Sequence, residues 1–351
     1  MKNGLFHFIA LALLTLFFAF SASAAFEGYL PMPRAEFAKK RGMKHLLTIP
    51  TPAELFPEEE SSEPKRLPEW HFPQAGVSGV TLRLVSEEDG YPEEWVFEGF
   101  DKAGKPWKVY TGSLYSAAGG AEIYRADLDR NGIQDVIMLV PNAGNGMAPD
   151  SRLEIITFEQ DGRPVLLETW GFYYSTDKKG IDDLLDLKGN GRAQLLTMHF
   201  SDGYWITDLY QVADARWQRV TGRFGKLSYP VLTRFTHRPN QRVVHTVKVG
   251  RHPTAPDLSN VRSINAVRYQ LGDDEKIQFE TDDGRFLSSW LRSMVLTVDS
   301  PQGRRILSGT ADGLRRKEAL SQLINDRQPA RFYGSLDEDG GDGPFTLWVS
   351  E

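Results

Sequence analysis

The sequence predicts a mainly β protein: four-stranded repeat units in a propeller-like arrangement, then a second β-rich domain with one C-terminal helix. Three observations predict it. From Gly76 onward, short runs of alternating apolar residues are separated by Asp-Gly, Gly-Lys and Asn-Gly turns. Three times, an aromatic-rich strand runs through a tight turn into a second short strand. A nine-residue loop rich in Asp, Asn and Gly also recurs after 59 residues, each time just before a strand-like run.

The chain of 351 residues opens with Lys2, an apolar run from Leu5 to Phe20, and the small residues Ala22-Ser23-Ala24. A positive start, a short apolar middle and a small-residue end read as a signal peptide, residues 1–24, with cleavage before Ala25. The run is shorter than the roughly 20 residues that span a bilayer, and no second one follows, so no transmembrane span is expected after cleavage. The formal charge is −6, and removal of Lys2 makes it one unit more negative. An acidic chain of this kind is not a general nucleic-acid binder, and with no Cys it has no disulfide framework.

Residues 25–75 read as a Pro/Glu-rich flexible arm. Pro50, Pro52, Pro57, Pro64, Pro68 and Pro73 accompany the acids Glu58, Glu59, Glu60 and Glu63. Proline removes backbone donors and the acids repel one another, which disfavours a packed core. Ala35 to Leu47 is the one stretch here with loose helical spacing, through Phe37, Met43 and Leu47.

Residues 76–232 form the expected repeat domain. Val80–Val85 alternates as a strand, and Glu94–Glu98 with Trp107–Tyr110 forms a hairpin. Leu153–Phe158 with Val165–Leu167, and Trp205–Tyr210 with Trp217–Val220, repeat that form. Residues 233–351 are expected as a second β-rich domain, or as the completion of an irregular propeller. Strand-like runs there are Gln241–Val249, Ala266–Leu271, Lys276–Glu280, Met294–Val298 and Phe345–Val349. Leu314, Ala319, Leu320, Leu323 and Ile324 fall near 3.6-residue spacing and predict a helix over Arg315–Asn325, stopped by Pro329.

Asp127-x-Asp129-x-Asn131-Gly132-x-x-Asp135 carries the most specific chemistry. Side-chain oxygens at alternate positions of a tight loop converge on one point, and Gly132 permits the reversal. Calcium takes six to eight oxygens, which Asp127, Asp129, Asn131, the Ile133 carbonyl and Asp135 would supply in part. The loop is not an EF-hand, because Met138 stands where the closing Glu would be and strands flank it. The alternative is an Asx-rich turn without an ion. The second copy keeps Asp186, Asn190 and Gly191 but has Lys188 and Gln194 in place of Asp129 and Asp135, so it is expected to be metal-free, with the Lys188 ammonium standing in for the ion.

This loop and its strands resemble the FG-GAP repeats of integrin α-subunits and of bacterial VCBS-type secreted proteins, over about residues 94–225. The resemblance implies a propeller blade with one calcium ion held between two of its strands.

Between Asp214 and Asp257, 42 residues carry nine Lys or Arg and no acid. Arg234, Arg238, Arg242, Lys248 and Arg251 are the candidate anion-binding residues, for an anionic glycan or lipid headgroup, unless the tract docks on the acidic repeat domain. The acidic loop Asp337–Asp342 reads as a solvated turn or a third, irregular ion site. No catalytic residues are assigned: a Gly-x-Ser-x-Gly elbow, a His-Glu-x-x-His pair and a phosphate loop are all missing. The sequence therefore predicts an exported, periplasmic or secreted, calcium-stabilised module that binds a protein or anionic partner without chemistry. The alternative is a polysaccharide-acting enzyme whose groove is floored by Trp95, Trp107, Trp170, Trp205, Trp217, Tyr173, Tyr174 and Tyr204.

Overall fold

The computed structural model describes residues 43–51, 54, 68–73, 79–85, 94–116, 119–141, 151–171, 173, 175, 178, 180–201, 204–224, 227–235, 242–246, 258–259, 262–272, 276–291, 294–325, 330–332 and 345–349. The expected signal peptide, most of the expected arm and the acidic loop Asp337–Asp342 lie outside them.

Four larger sheets, I to IV, form a propeller-like arrangement in which I, II and III share one core and I and IV share a second. Sheet I has the order Glu69–Phe72, Val80–Val85, Glu94–Phe100, Pro106–Thr111, Gly303–Leu307, Leu296–Ser300. Sheet II runs Lys44–Thr48, Glu122–Ala126, Asp135–Pro141, Ser151–Phe158, Pro164–Gly171. Sheet III runs Leu184–Leu185, Gln194–Ser201, Tyr204–Ala213, Val231–Phe235, Arg242–Thr246, with Arg216–Val220 also paired to Tyr204–Ala213. Sheet IV runs Phe286–Trp290, Lys276–Thr281, Arg262–Leu271, Phe345–Val349, Ala330–Phe332.

The period-2 alternation of a strand explains the stacking. In Glu94–Phe100, Trp95 and Phe97 enter a core shared with sheets II and III. Val96, between them, enters a second core shared with sheet IV and the helix α1 (Gly313–Asn325). Trp107 and Val109 divide from Tyr110 in the same way, as Ile306 does from Leu307. Sheet I is thus buried on both faces. Trp95, Trp107, Trp217 and Tyr173 are all at or below 2% exposure, so these four aromatics belong to the core.

The three expected hairpins all form, as Glu94–Phe100 with Pro106–Thr111, Ser151–Phe158 with Pro164–Gly171, and Tyr204–Ala213 with Arg216–Val220. The expected four-strand count per unit does not hold, since the sheets have five or six strands. The repeat supplies four strands to each of sheets II and III, and distant segments then cover the edges that would otherwise expose unpaired backbone groups. Gly303–Leu307 joins sheet I by parallel pairing with Pro106–Thr111. Val231–Phe235 and Arg242–Thr246 add to sheet III as a hairpin. The chain before and after residue 233 therefore shares sheets I and III.

Two pieces of the expected arm are strands. Lys44–Thr48 pairs antiparallel with Glu122–Ala126, which overturns the expected helix over Ala35–Leu47 for its described part. His45 Nε2 stands 2.6 Å from Glu122 Oε2, and Ile49 is 1% exposed. Glu69–Phe72 pairs with Val80–Val85. Proline content misled here because the prolines fall between these short runs, not inside them. Helix α1 forms as expected and starts two residues earlier. Asp312 caps it, its Oδ1 accepting from the Leu314 and Arg315 N–H groups at 3.0 and 3.1 Å. Ala319, Leu320 and Leu323 are buried, whereas Leu314 is 61% exposed and takes no part in the apolar face.

The docking of the first strand depends on a missing side chain. A Cβ on Gly120 would lie 1.7 Å from the Ile49 carbonyl oxygen. Gly120→Ala is expected to push residues 44–49 off the sheet and cost about 1–3 kcal/mol. Urea unfolding with amide exchange at His45–Leu47 checks this, and an unchanged midpoint with unchanged protection would contradict it.

Candidate metal loop

The loop between Glu122–Ala126 and Asp135–Pro141 is built by side chains that accept from its own backbone. Asp127 Oδ2 accepts from Gly132 N–H at 3.2 Å, and Asn131 Oδ1 from Ile133 N–H at 2.7 Å. Asp129 Oδ1 accepts from Asn131 N–H at 3.1 Å, and Asp135 Oδ2 from Leu128 N–H at 2.7 Å. Gly132 has φ +85°, a conformation that costs other residues a Cβ clash. Asn131 also donates its amide to the Phe158 carbonyl at 2.8 Å, which ties the loop to the next hairpin. Ile133 anchors it by burying its side chain to 1% exposure.

This folding brings Asp127, Asp129 and Asp135 together, with carboxylate oxygens that all lie within 4.8 Å of one another. Asp135 is fully buried and Asp129 is 6% exposed. Asp127 Oδ1 and Asp135 Oδ1 are buried without a hydrogen-bond partner. The Thr157 hydroxyl stands near Asp135 and favours its charged form, without closing a bond of good geometry. Burial pushes the Asp129 acid up and the Asp135 acid well above the usual carboxylate range, and the neighbouring carboxylates push further. A cation would satisfy both orphaned oxygens and remove the repulsion. The carboxylate cluster fits such an ion.

The second loop repeats three of the first loop's bonds. Asp186 Oδ2 accepts from Gly191 N–H at 2.8 Å, Asn190 Oδ1 from Arg192 N–H at 3.0 Å, and Gln194 Oε1 from Leu187 N–H at 2.9 Å. Gln194 thus takes over the backbone bond made by Asp135, and its Nε2 donates to the Arg192 carbonyl at 3.0 Å. A neutral amide that carries its own donors needs no ion. Lys188 does not serve as an internal cation, contrary to expectation. Its ammonium lies over the Phe224 ring at 4.7 Å, because the longer side chain reaches out of the loop to an aromatic face.

The two loops back onto each other. Arg130 Nη1 donates to the Asn190 carbonyl at 2.7 Å, and Ala193 N–H donates to the Leu128 carbonyl at 2.9 Å. A Cβ on Gly191 would stand 3.0 Å from Arg130 Cδ, so this glycine makes room for the contact. Arg130 has φ +65°, a rare conformation for a side-chain-bearing residue. The sequence contains no signal for this latch beyond the equal spacing of the two loops.

The basic tract divides. Arg219 pairs with Asp208 inside the protein, the two side chains being 10% and 2% exposed. Arg234 lies opposite Val243 and Arg242 opposite Phe235 in the terminal hairpin of sheet III. Arg238, Lys248 and Arg251 lie outside the described residues.

A second acidic group escaped the sequence reading. Glu154 and Glu168 face each other directly across neighbouring strands of sheet II. Arg152 Nε stands 2.7 Å from Glu154 Oε1, and Glu168 Oε2 accepts from Gly309 N–H at 3.0 Å. Glu154 has no exposed surface, and burial pushes its acid up to about 7 against the pull of Arg152. The alternation of Leu153-Glu-Ile-Ile was the available signal, but it reads equally as an exposed polar face.

No protein-family model, no curated protein and no solved structure matches the chain.

The raised Glu154 acid gives a pH dependence with a definite sign. Below its unfolded value of 4.5 both states hold the proton. As pH rises from there to about 7 the unfolded chain releases it first, so stability falls across that window and then levels. Glu154→Gln removes this slope, so its urea midpoint is expected to gain on the wild type as pH rises from 5 to about 7. A pH-independent difference would contradict the assignment.

Proposed function

We propose that this protein is an exported, calcium-stabilised β-propeller-like module that binds a partner without catalysing a reaction. The single observation that carries the reading is the convergence of Asp127, Asp129 and Asp135, with two buried carboxylate oxygens left without partners. A donor set made only of oxygen suits a hard cation, and calcium accepts irregular carboxylate geometry that magnesium does not. Asn131 and the Ile133 carbonyl complete the proposed ligand set. The likeness of the two loops agrees with an FG-GAP-type blade, in which one copy holds the ion and the next has replaced it with an amide.

Export rests on the Leu5–Phe20 run and the Ala22-Ser23-Ala24 end, and places the mature chain in the periplasm or outside the cell. Among the described residues no helix is long and apolar enough to cross a membrane. Arg234, Arg238, Arg242, Lys248 and Arg251 are the residues proposed to meet an anionic glycan, lipid headgroup or protein partner.

Extracellular modules hold calcium with dissociation constants of about 10⁻⁴ to 10⁻³ M. At ~1 mM free ion and a constant near 0.1 mM, linkage adds ~1.4 kcal/mol of stability. The melting temperature is then expected to rise by about 2–4 °C over that in chelator. Asp129→Ala abolishes the rise, whereas Asn190→Ala in the second loop lowers stability equally with and without calcium. Equal melting of the wild type in chelator and in millimolar calcium would reduce the first loop to a turn.

A further inference from the structure

The parallel pairing that brings Gly303–Leu307 onto sheet I sets Arg305 directly beside Lys108. Lys108 in turn lies opposite Glu98 on the neighbouring strand. By alternation these three share the face that sends Val96, Tyr110 and Leu307 into the second core. Helix α1 covers the apolar end of that face through Ala319, Leu320 and Leu323. Near Gln322 the face turns polar, and a cleft of about 400 Å³ opens there, lined by Lys108, Tyr110, Gln302, Arg305 and Gln322 among others.

Like charges side by side on adjacent strands repel, so the Lys108–Arg305 pair calls for an anion. The acid at hand is Glu98, and it is shared. Its Oε2 lies 3.1 Å from Arg83 Nη2 and 3.8 Å from Lys108 Nζ. Arg305 donates to Gln322 Oε1, a neutral amide that orients the guanidinium without offsetting its charge. Arg304, the next residue, shows what full compensation looks like: Asp299 meets two of its nitrogens at 2.8 Å each, and the Pro164 carbonyl takes a third N–H. Of the three cations that line the cleft, Arg304 is thus matched by Asp299, whereas among the described residues Lys108 shares the Glu98 carboxylate with Arg83 and Arg305 meets a neutral amide.

We propose that this cleft binds a small organic anion through a carboxylate or phosphate group held by Lys108 and Arg305. A guanidinium presents a planar fork of donors that matches either group, and the lysine adds a point charge. Gln302 and Gln322 hydrogen-bond the polar body of the ligand, and the Tyr110 side chain forms the apolar floor. The volume suits a molecule of sugar-acid or sugar-phosphate size. The cleft shares no residue with the carboxylate loop, so the proposal goes beyond the calcium reading and stands independently of it.

The test is thermal unfolding of the full mature chain at fixed ionic strength, with glucuronate, glucose 6-phosphate or neutral glucose at about 10 mM, far enough above a sub-millimolar constant for linkage to show. One or both anions are expected to raise the melting temperature while glucose does not, and the anion that acts names the head group. The shift should vanish in Lys108→Gln/Arg305→Gln, which removes the charge. It should also vanish in Gln302→Trp, which fills the cleft from an exposed turn and decides the matter if the double variant does not fold. No shift with either anion, or a shift that survives Gln302→Trp, overturns the proposal.

Discussion

Three carboxylates gathered within 4.8 Å of one another, one of them fully buried, repel unless positive charge stands among them. This is the constraint on which the centre of the protein depends. The loop that gathers them connects two strands of sheet II, and its backbone is fixed by the same side chains that form the cluster. Through Arg130 and Leu128 it is latched to the second loop, which enters sheet III. Charge compensation in one loop therefore bears on how two sheets meet. The second loop shows the alternative solution, since the Gln194 amide replaces a carboxylate and supplies its own donors.

The remaining architecture follows from burial on both faces. Sheet I lies between two cores, and its alternate residues are apolar in both directions. Strands that return from far along the chain cover exposed edges, as Lys44–Thr48 does on sheet II and Gly303–Leu307 on sheet I. One consequence is chemical. A parallel strand added late brings Arg305 to Lys108, whose one carboxylate among the described residues, Glu98, is shared with Arg83, and the charged cleft results.

Local features were legible from the sequence. The hairpins, the Asp127–Asp135 loop and helix α1 each depend on residues close in the chain, where turn chemistry and periodicity speak directly. Sheet membership was not legible, because pairing over more than a hundred residues leaves no local mark. Lys44–Thr48 was hidden by the prolines around it, and its partner Glu122–Ala126 lies 77 residues away at the His45–Glu122 contact. Within the candidate site, Asp127, Asp129 and Asp135 could be named from spacing alone. The substitution of Gln194 was noticed but credited to the wrong residue, since only geometry shows Lys188 turned to Phe224. The Glu154–Glu168 pair was missed because a strand buried on both faces can place an acid where alternation predicts solvent.

The central claim is that one loop takes an ion and its near-copy does not. Isothermal titration of chelator-treated protein with calcium chloride measures this most directly. The account predicts a single class of site filled by one ion per chain, absent in Asp135→Asn. Absence of binding heat, or a stoichiometry of two, would contradict it.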